Sequence, residues 1–446
     1  MQNHSLTEGK IGPALVRFAI PFLFASMLQS LYGAADMFVV GQFSGAAAVS
    51  GVSTGSQLFN TITHAVLGFC TGGTVLVAQQ MGRKNADGTA KAIGTLAVAF
   101  AIIGLLMTPI MLVLTPYMAT WMQTPAEAFS EACNYIRICA CGVPFILGYN
   151  VTAGIFRGMG DSKTPVLFIA IACAINIVVD FVLVGMLDMA AAGAAWATVL
   201  AQGISFLLSL LHMKRKGLGF PFGRAHLRID GYSLGWILKV GAPLALQNAF
   251  ISLSFLIITA IINTMGLVAS AAVGVTEKLI SFFMLPPSAF SMATATMVGQ
   301  NIGAGQPKRA LQTMTTSMAW SLGISAVLFV LTQLFPTFWA GIFTTDPEVI
   351  EAAAQYLRSY SIDCLIVCFV FNLNSYFSGC GQSVITAAHN IIATLCVRIP
   401  MSWALSRMPG TSLFAMGLAA PAASLLQVVI CVAYFLWLRK KGKLYA

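Results

Sequence analysis

Charge is what this sequence has least of. Only 14 Asp and Glu and 24 Lys and Arg stand among 446 residues, 9% charged against 58% apolar, at a mean hydropathy of +0.84. A soluble domain of this length needs far more polar surface, so the composition places the chain in lipid. Metal and redox chemistry lack their usual signatures as well. No HExxH motif is present, and none of the ten cysteines, Cys139, Cys141, Cys364 and Cys368 among them, forms a CxxC pair suited to zinc. All ten fall in apolar segments and read as packing residues, so no cofactor is expected. The formal charge of +10 comes from bases scattered through short loops, which excludes a continuous nucleic-acid surface. Met1 to Lys10 is polar, and the apolar run after it continues past a signal-peptide core without a small-residue cleavage site, so no cleaved leader is expected.

What is abundant is the long hydrophobic run. A membrane-spanning helix takes roughly 20 apolar residues. Runs punctuated by Gly, Pro and charge place helices near 14–40, 48–78, 90–115, 131–154, 164–187 and 191–213, then near 234–263, 270–296, 310–333, 350–377, 384–406 and 413–438. Backbone groups in lipid must be satisfied within the segment, which makes such spans helical. Lys10, Arg17, Arg83, Lys84, Lys91, Arg157, Lys163, the run Lys214 to Lys216, Lys239, Lys308, Arg309 and the tail from Arg439 to Lys443 all fall on one side. The opposite loops hold Glu127, Glu131, Asp188, Asp346 and Glu348, with Arg407 as their base. Excess positive charge stays inside, so both termini are expected in the cytoplasm of a multi-pass inner-membrane protein.

A repeat divides the chain. Gln79, Gly82, Tyr135, Arg137, Phe156, Gly158, Gly160 and Ser162 recur 221 residues later as Gln300, Gly303, Tyr356, Arg358, Phe377, Gly379, Gly381 and Ser383. Pro21 and Pro243 correspond with one residue of slip. The expectation is therefore an all-α membrane protein of about twelve transmembrane helices in two six-helix bundles. Six is even, so both bundles share one topology and are related by a pseudo-twofold along the membrane normal. The first lobe spans 1–213, a cytoplasmic inter-lobe loop 214–233, and the second lobe 234–446. The repeated halves make a functional monomer the simplest expectation.

Acids buried at bilayer depth cost about 2.5 to 3.5 kcal/mol each on insertion scales and mark function by default. Asp36 lies in the first helix. Asp180 lies in the fifth, four residues after Asn176 and so on the same face. Asn150 and Thr198 add uncharged oxygens in the fourth and sixth helices. The repeat offset maps Asp36 onto Ile257 or Ile258, Asp180 onto Met401, Asn176 onto Val397 and Asn150 onto Phe371, so the polar cluster is expected in the first half only. Asymmetry on a symmetric scaffold favours function over helix capping. Two desolvated carboxylates held close cannot both stay charged, so one is expected to load and release a proton. A small cation held by the same Asp, Asn and Thr oxygens is the competing use. His64, the adjacent Glu277 and Lys278, and an Asp363–Arg398 ion pair between the tenth and eleventh helices read as structural. Pro21 interrupts the first helix and marks a bending point. Twenty-one Met and 30 Phe supply packing and a shape-adaptable cavity lining.

The segments FAIPFLFASMLQSLYGAADMFVVGQFSG (18–45), AQQMGRKN (78–85) and FRGMGDSKTP (156–165) resemble recurring segments of the multidrug and toxic compound extrusion (MATE) family, and the resemblance covers nearly the whole chain. It is to the DinF-like branch, whose helix 1 Asp, helix 5 Asn and Asp, helix 4 Asn and helix 6 Thr match Asp36, Asn176, Asp180, Asn150 and Thr198. The resemblance implies coupling to H⁺ or Na⁺ at these residues. For Na⁺ it implies Asp36, Asn176, Asp180 and Thr198 as ligands. It further implies substrate contacts at Gln29, Tyr32, Tyr135 and Asn150, and a hinge at Pro21. The acid that the NorM branch carries on helix 7 is missing here.

The expected activity is thus export of small amphipathic, often cationic, organic compounds in exchange for H⁺ or Na⁺ by alternating access. The alternative is a lipid-linked precursor flippase of the same superfamily, which needs a cationic cavity. Only Arg137, Lys278, Arg358 and Arg398 are placed in the membrane to supply one. An enzyme is not expected.

Overall fold

The computed structural model describes residues 6–442; Met1–Ser5 and Lys443–Ala446, with the basic Lys443, lie outside the described residues. Every regular element described is a helix. The first half contains α1 (Ile11–Phe43), α2 (Ala46–Gly82), α3 (Ala86–Trp121), α4 (Ala126–Gly158), α5 (Lys163–Asp180) with a π-helical turn at Phe181–Met186, and α6 (Ala190–Lys216). A 3₁₀ turn at Arg224–His226 leads to α7 (Gly231–Asn263), α8 (Leu267–Phe283), α9 (Leu285–Gly303), α10 (Pro307–Leu334), the short α11 (Pro336–Gly341) and α12 (Pro347–Gly379). Then come α13 (Ser383–Ala393), a second π turn at Thr394–Arg398, α14 (Ile399–Arg407), α15 (Leu413–Gly417) and α16 (Ala419–Lys440). Among the described residues eleven spans are long and apolar enough to cross a membrane, and α8 with α9, bent by 41° at Met284, makes a twelfth if the pair is one span. Pro286 and Pro287 follow that bend and remove the backbone donors that would carry one helix through it.

Local chemistry fixes the helix ends. Asn85 Oδ1 accepts from Gly88 N at 3.0 Å and caps α3, and Asp346 Oδ1 accepts from Glu348 N at 2.9 Å at the start of α12. Asp161 accepts from Lys163 N and Thr164 N, both at 3.0 Å, and so ties the repeated glycine-rich turn to α5. Gly160 and its repeat partner Gly381 hold φ of +90° and +80°, a conformation that admits glycine without strain.

The packing divides into two compact units: Ile20–Ala242 forms the first, and Leu6–Ala19 with the chain from Pro243 onward forms the second. The sequence expectation put the division in the loop 214–233. Instead that loop belongs with the first unit, where Asp230 N donates to Thr95 Oγ1 at 3.0 Å and Gly94 leaves room for the His226 carbonyl. The two changes of unit fall at Ala19/Ile20 and Ala242/Pro243, next to the two related prolines. Helix α1 nevertheless runs through Pro21 as one helix. Pro21 has no N–H to offer the Arg17 carbonyl four residues back.

In the first unit, α4 is the buried centre, packed against α2, α3 and α6. Small residues set the spacing. A Cβ on Gly51 would lie 2.6 Å from Glu131 Cβ, and one on Gly55 2.6 Å from the Tyr135 ring. In the second unit, α12 takes the same central place among α8, α9, α10 and α16.

Candidate functional site

The first unit gathers an acidic cluster from three helices. Asp36 on α1 is buried, Asn176 and Asp180 on α5 are fully enclosed, and Thr198 on α6 is 8% exposed. Asp36 faces Asp180, Asn176 and Thr198. Its hydrogen bond is to Thr198, whose Oγ1 donates to Asp36 Oδ2 at 3.2 Å. The other Asp36 oxygen, both Asp180 oxygens and both polar atoms of the Asn176 amide are buried without a hydrogen-bond partner. Asp180 ends α5, where the helix widens into its π turn; such single-turn distortions recur at functional sites.

Tyr32, one helical turn before Asp36, turns towards Asp36 and Thr198 with its hydroxyl buried and unpaired. Tyr135, on α4, completes the wall beside Asp36 and Tyr32. Cys139, one turn after Tyr135 on the same face, is also part of the site and was read from sequence as packing only. Its i, i+4 relation to Tyr135 was the available signal.

The remaining expected residues stand apart. Asn150 Nδ2 donates to Ile146 O on its own helix at 2.8 Å, and no described hydrogen bond joins it to the carboxylates. Gln29 is exposed on α1. His64 is exposed on α2.

No base balances the acidic cluster by direct contact. Among the described residues the acid–base contacts are Lys91 Nζ with Asp87 at 2.6 Å and His226 Nε2 with Asp87 at 4.0 Å. The expected Asp363–Arg398 pair is therefore not formed at ion-pair distance. Arg398 Nη2 instead donates to Tyr360 Oη at 3.2 Å, and the guanidinium lies 4.5 Å from the Phe255 ring centre. The described residues also contain no group of three or more His, Cys, Asp or Glu able to hold a transition metal. Carboxylate, amide and hydroxyl oxygens are instead the donors that hard monovalent and divalent cations prefer.

One motif that the sequence reading passes over has a structural answer. Gly51-Val52-Ser53-Thr54-Gly55 has the GxSxG spacing of a hydrolase nucleophile turn, but Ser53 sits inside α2 and not on a strand-to-helix turn. Its two glycines serve the approach of α4.

Comparison with known proteins agrees with this architecture. The MatE family matches residues 21–182 and 243–404, one segment in each half. A probable multidrug resistance protein of Bacillus subtilis, YpnP, is 28% identical over 426 residues, covering 94% of each chain. A FAD transporter of Shewanella oneidensis is 25% identical over 449 residues, covering 96% of this chain and 95% of the relative. The solved outward-facing structure of a multidrug resistance MATE transporter superposes with a TM-score of 0.90 at 21% identity, covering 99% of this chain and 98% of that one. The family match across both halves establishes that this chain belongs to the MatE family of multi-pass membrane transporters, which are not enzymes.

Proposed function

We propose that the protein is a secondary antiporter of the DinF-like branch that exports amphipathic, often cationic, compounds in exchange for H⁺ or Na⁺. The observation that carries this reading is the facing pair Asp36 and Asp180, enclosed in the first unit with no ion-pair partner among the described residues. Two such carboxylates need a bound proton or cation for at least part of the cycle, and that requirement is what couples ion to substrate. In the Na⁺ variant Asp36, Asn176, Asp180 and Thr198 supply the oxygens. Tyr32 and Tyr135 hold the substrate's apolar body, with Gln29 and Asn150 at its margins.

Ion binding from outside neutralises the cluster, α1 rearranges about Pro21, and the substrate's hold weakens. Ion loss on the inward side restores the charge and readies the site for another cationic substrate. The chain works as a monomer with both termini in the cytoplasm.

The test is dye efflux from proteoliposomes under an imposed pH gradient, with and without Na⁺, for the wild type and Asp36→Asn. Gradient-driven flux lost in Asp36→Asn is the expected result. Flux that persists in Asp36→Asn sinks the coupling assignment.

A further inference from the structure

The second unit holds a polar cluster of its own at the place where the first unit holds its acids. The repeat offset of 221 carries Tyr356 back to Tyr135, Phe255 to Ala34 beside Asp36, and Arg398 to Ile177 beside Asn176. Both fifth-span helices widen into a π turn near these residues, at Phe181–Met186 and at Thr394–Arg398. Asp36, Asn150, Asn176 and Asp180 have apolar counterparts at the repeat offset, yet the second half is not without a polar cluster, contrary to what the sequence alone suggests. The cluster is there, with an arginine where the first half has an amide and an acid.

Its geometry leaves two complementary atoms without partners. Tyr356, Tyr360 and Asp363 share one face of α12 at i, i+4 and i+7 spacing, and the two rings meet edge to face at 5.6 Å. The charged and titratable groups around the Arg398 guanidinium are Tyr360, Asp363, Tyr356 and Glu277. Neither carboxylate reaches ion-pair distance. Arg398 Nε and Asp363 Oδ1 are both buried and unbonded, one a donor and the other an acceptor. A native interior rarely leaves such atoms orphaned unless a ligand, ion or water completes them. Phe255 and the two tyrosines add apolar and cation-binding faces. Arg398 and Glu277 are half-buried, so a small head group can reach them.

From this constellation we propose that Arg398, Asp363, Phe255 and Tyr360 form a second ligand site that takes a zwitterionic head group, carboxylate on Arg398 and ammonium on Asp363, with the ligand's apolar body against the aromatic rings. Arginine matches a carboxylate in planar, charge-assisted contacts, and a carboxylate partner for the ammonium completes the pair. A zwitterion adds no net charge to the site, unlike a simple cation or anion. The proposal rests on the reading of the chain as a transporter of organic compounds and extends it to a ligand class.

The experiment measures equilibrium binding to the purified full chain in detergent, with no ion gradient, using Nε-dansyl-lysine, its methyl ester and its Nα-acetyl derivative. These probes share one fluorophore and differ as zwitterion, cation and anion. The wild type is expected to bind the zwitterion at least about tenfold more tightly than either derivative, about 1.4 kcal/mol. Arg398→Met removes the preference over the ester, Arg398→Lys keeps part of it, and Asp363→Asn removes the preference over the acetyl form. Equal affinities of the wild type for all three probes overturn the proposal, as does an Arg398→Met or Arg398→Lys variant that weakens all three equally. If Arg398→Met does not fold, the wild-type ranking and Arg398→Lys decide. Preference without gradient-driven flux would defeat the antiport reading and leave this site standing; flux without preference would do the reverse.

Discussion

Thr198 on α6 donates to Asp36 Oδ2 on α1 at 3.2 Å, across 162 residues of chain, and is the hydrogen bond that fixes the Asp36 carboxylate among the described residues. A hydroxyl bonded to a charged group contributes about 1.5 to 3 kcal/mol. Thr198→Val keeps the shape and loses the donor, so it is expected to lower ion-driven efflux about tenfold, with Thr198→Ser within about twofold of the wild type. Initial rates of dye efflux from proteoliposomes check this. Equal rates for Val and Ser would show that the bond does not matter to the transport step.

Gly158 and Gly379 are repeat partners that close equivalent helix crossings by equivalent contacts, tightest to backbone at the first and to a side chain at the second. A Cβ on Gly158 would come within 2.7 Å of the Thr74 backbone carbonyl and 2.9 Å of the Val77 side chain, and one on Gly379 within 3.1 Å of the Ala295 carbonyl and 2.7 Å of the Val298 side chain. Either alanine substitution is expected to cost about 1 to 3 kcal/mol through overpacking. Adding Val298→Ala restores part of the loss in Gly379→Ala by removing the nearest atom, while the residue 298 Cβ at 2.9 Å and the Ala295 carbonyl at 3.1 Å stay in place. Adding Val77→Ala does little for Gly158→Ala, because the obstacle is backbone. Thermal unfolding of the detergent-solubilised single and double variants separates the two cases.

The helices and their repeat were legible because lipid imposes long apolar runs, and Gly158 with Gly379 marks equivalent crossings in both halves. The clustering of Asp36, Asn176, Asp180 and Thr198 was legible through the i, i+4 spacing on α5 and the cost of a buried acid. Where each first helix changes partner, at Ala19/Ile20 and Ala242/Pro243, was not, because packing partners leave no mark in composition. The π turns were hidden too, since they differ from α-helix only in hydrogen-bond register. The second-unit cluster was missed for a related reason: its charged groups, Asp363 and Arg398, sit off the exact repeat offset from the acids and amide of the first. The Asp363–Arg398 pair failed as an expectation because Tyr360 and Phe255, unseen as neighbours, draw the guanidinium to themselves.

Lys84 and Gly305 occupy the same turn of the two repeats, at φ of +56° and +69°. Glycine adopts this conformation freely, while an L side chain there costs about 1 to 2 kcal/mol. Lys84→Gly is therefore expected to raise stability by about 1 kcal/mol, less the extra entropy glycine gives the unfolded chain. Gly305→Lys should lower it by a similar amount. Thermal melting of the two variants against the wild type checks both signs, and a destabilised Lys84→Gly would mean that Lys84 makes compensating contacts.

Asp230 Oδ2 accepts from Ser233 N at 2.9 Å and from Ser233 Oγ at 2.8 Å, capping α7 where the 217–230 loop returns to the first unit. These two donors, backbone first, hold the carboxyl below its ordinary value. A carboxyl lowered on folding contributes stability above its unfolded value of about 3.9, and that contribution fades as pH falls through the lower folded value. Asp230→Ala should therefore cost about 1 kcal/mol near neutral pH, the usual worth of such a cap. Its difference from the wild type should shrink below about pH 4, where the wild-type carboxyl also loses its charge. Limited proteolysis within 217–229, followed from pH 7 down to pH 3, reads the docking of the loop directly. Wild type and variant cleaved at the same rate at pH 7 would show that the cap does not secure the loop, whereas a gap that persists unchanged at pH 3 would place its origin outside the carboxylate.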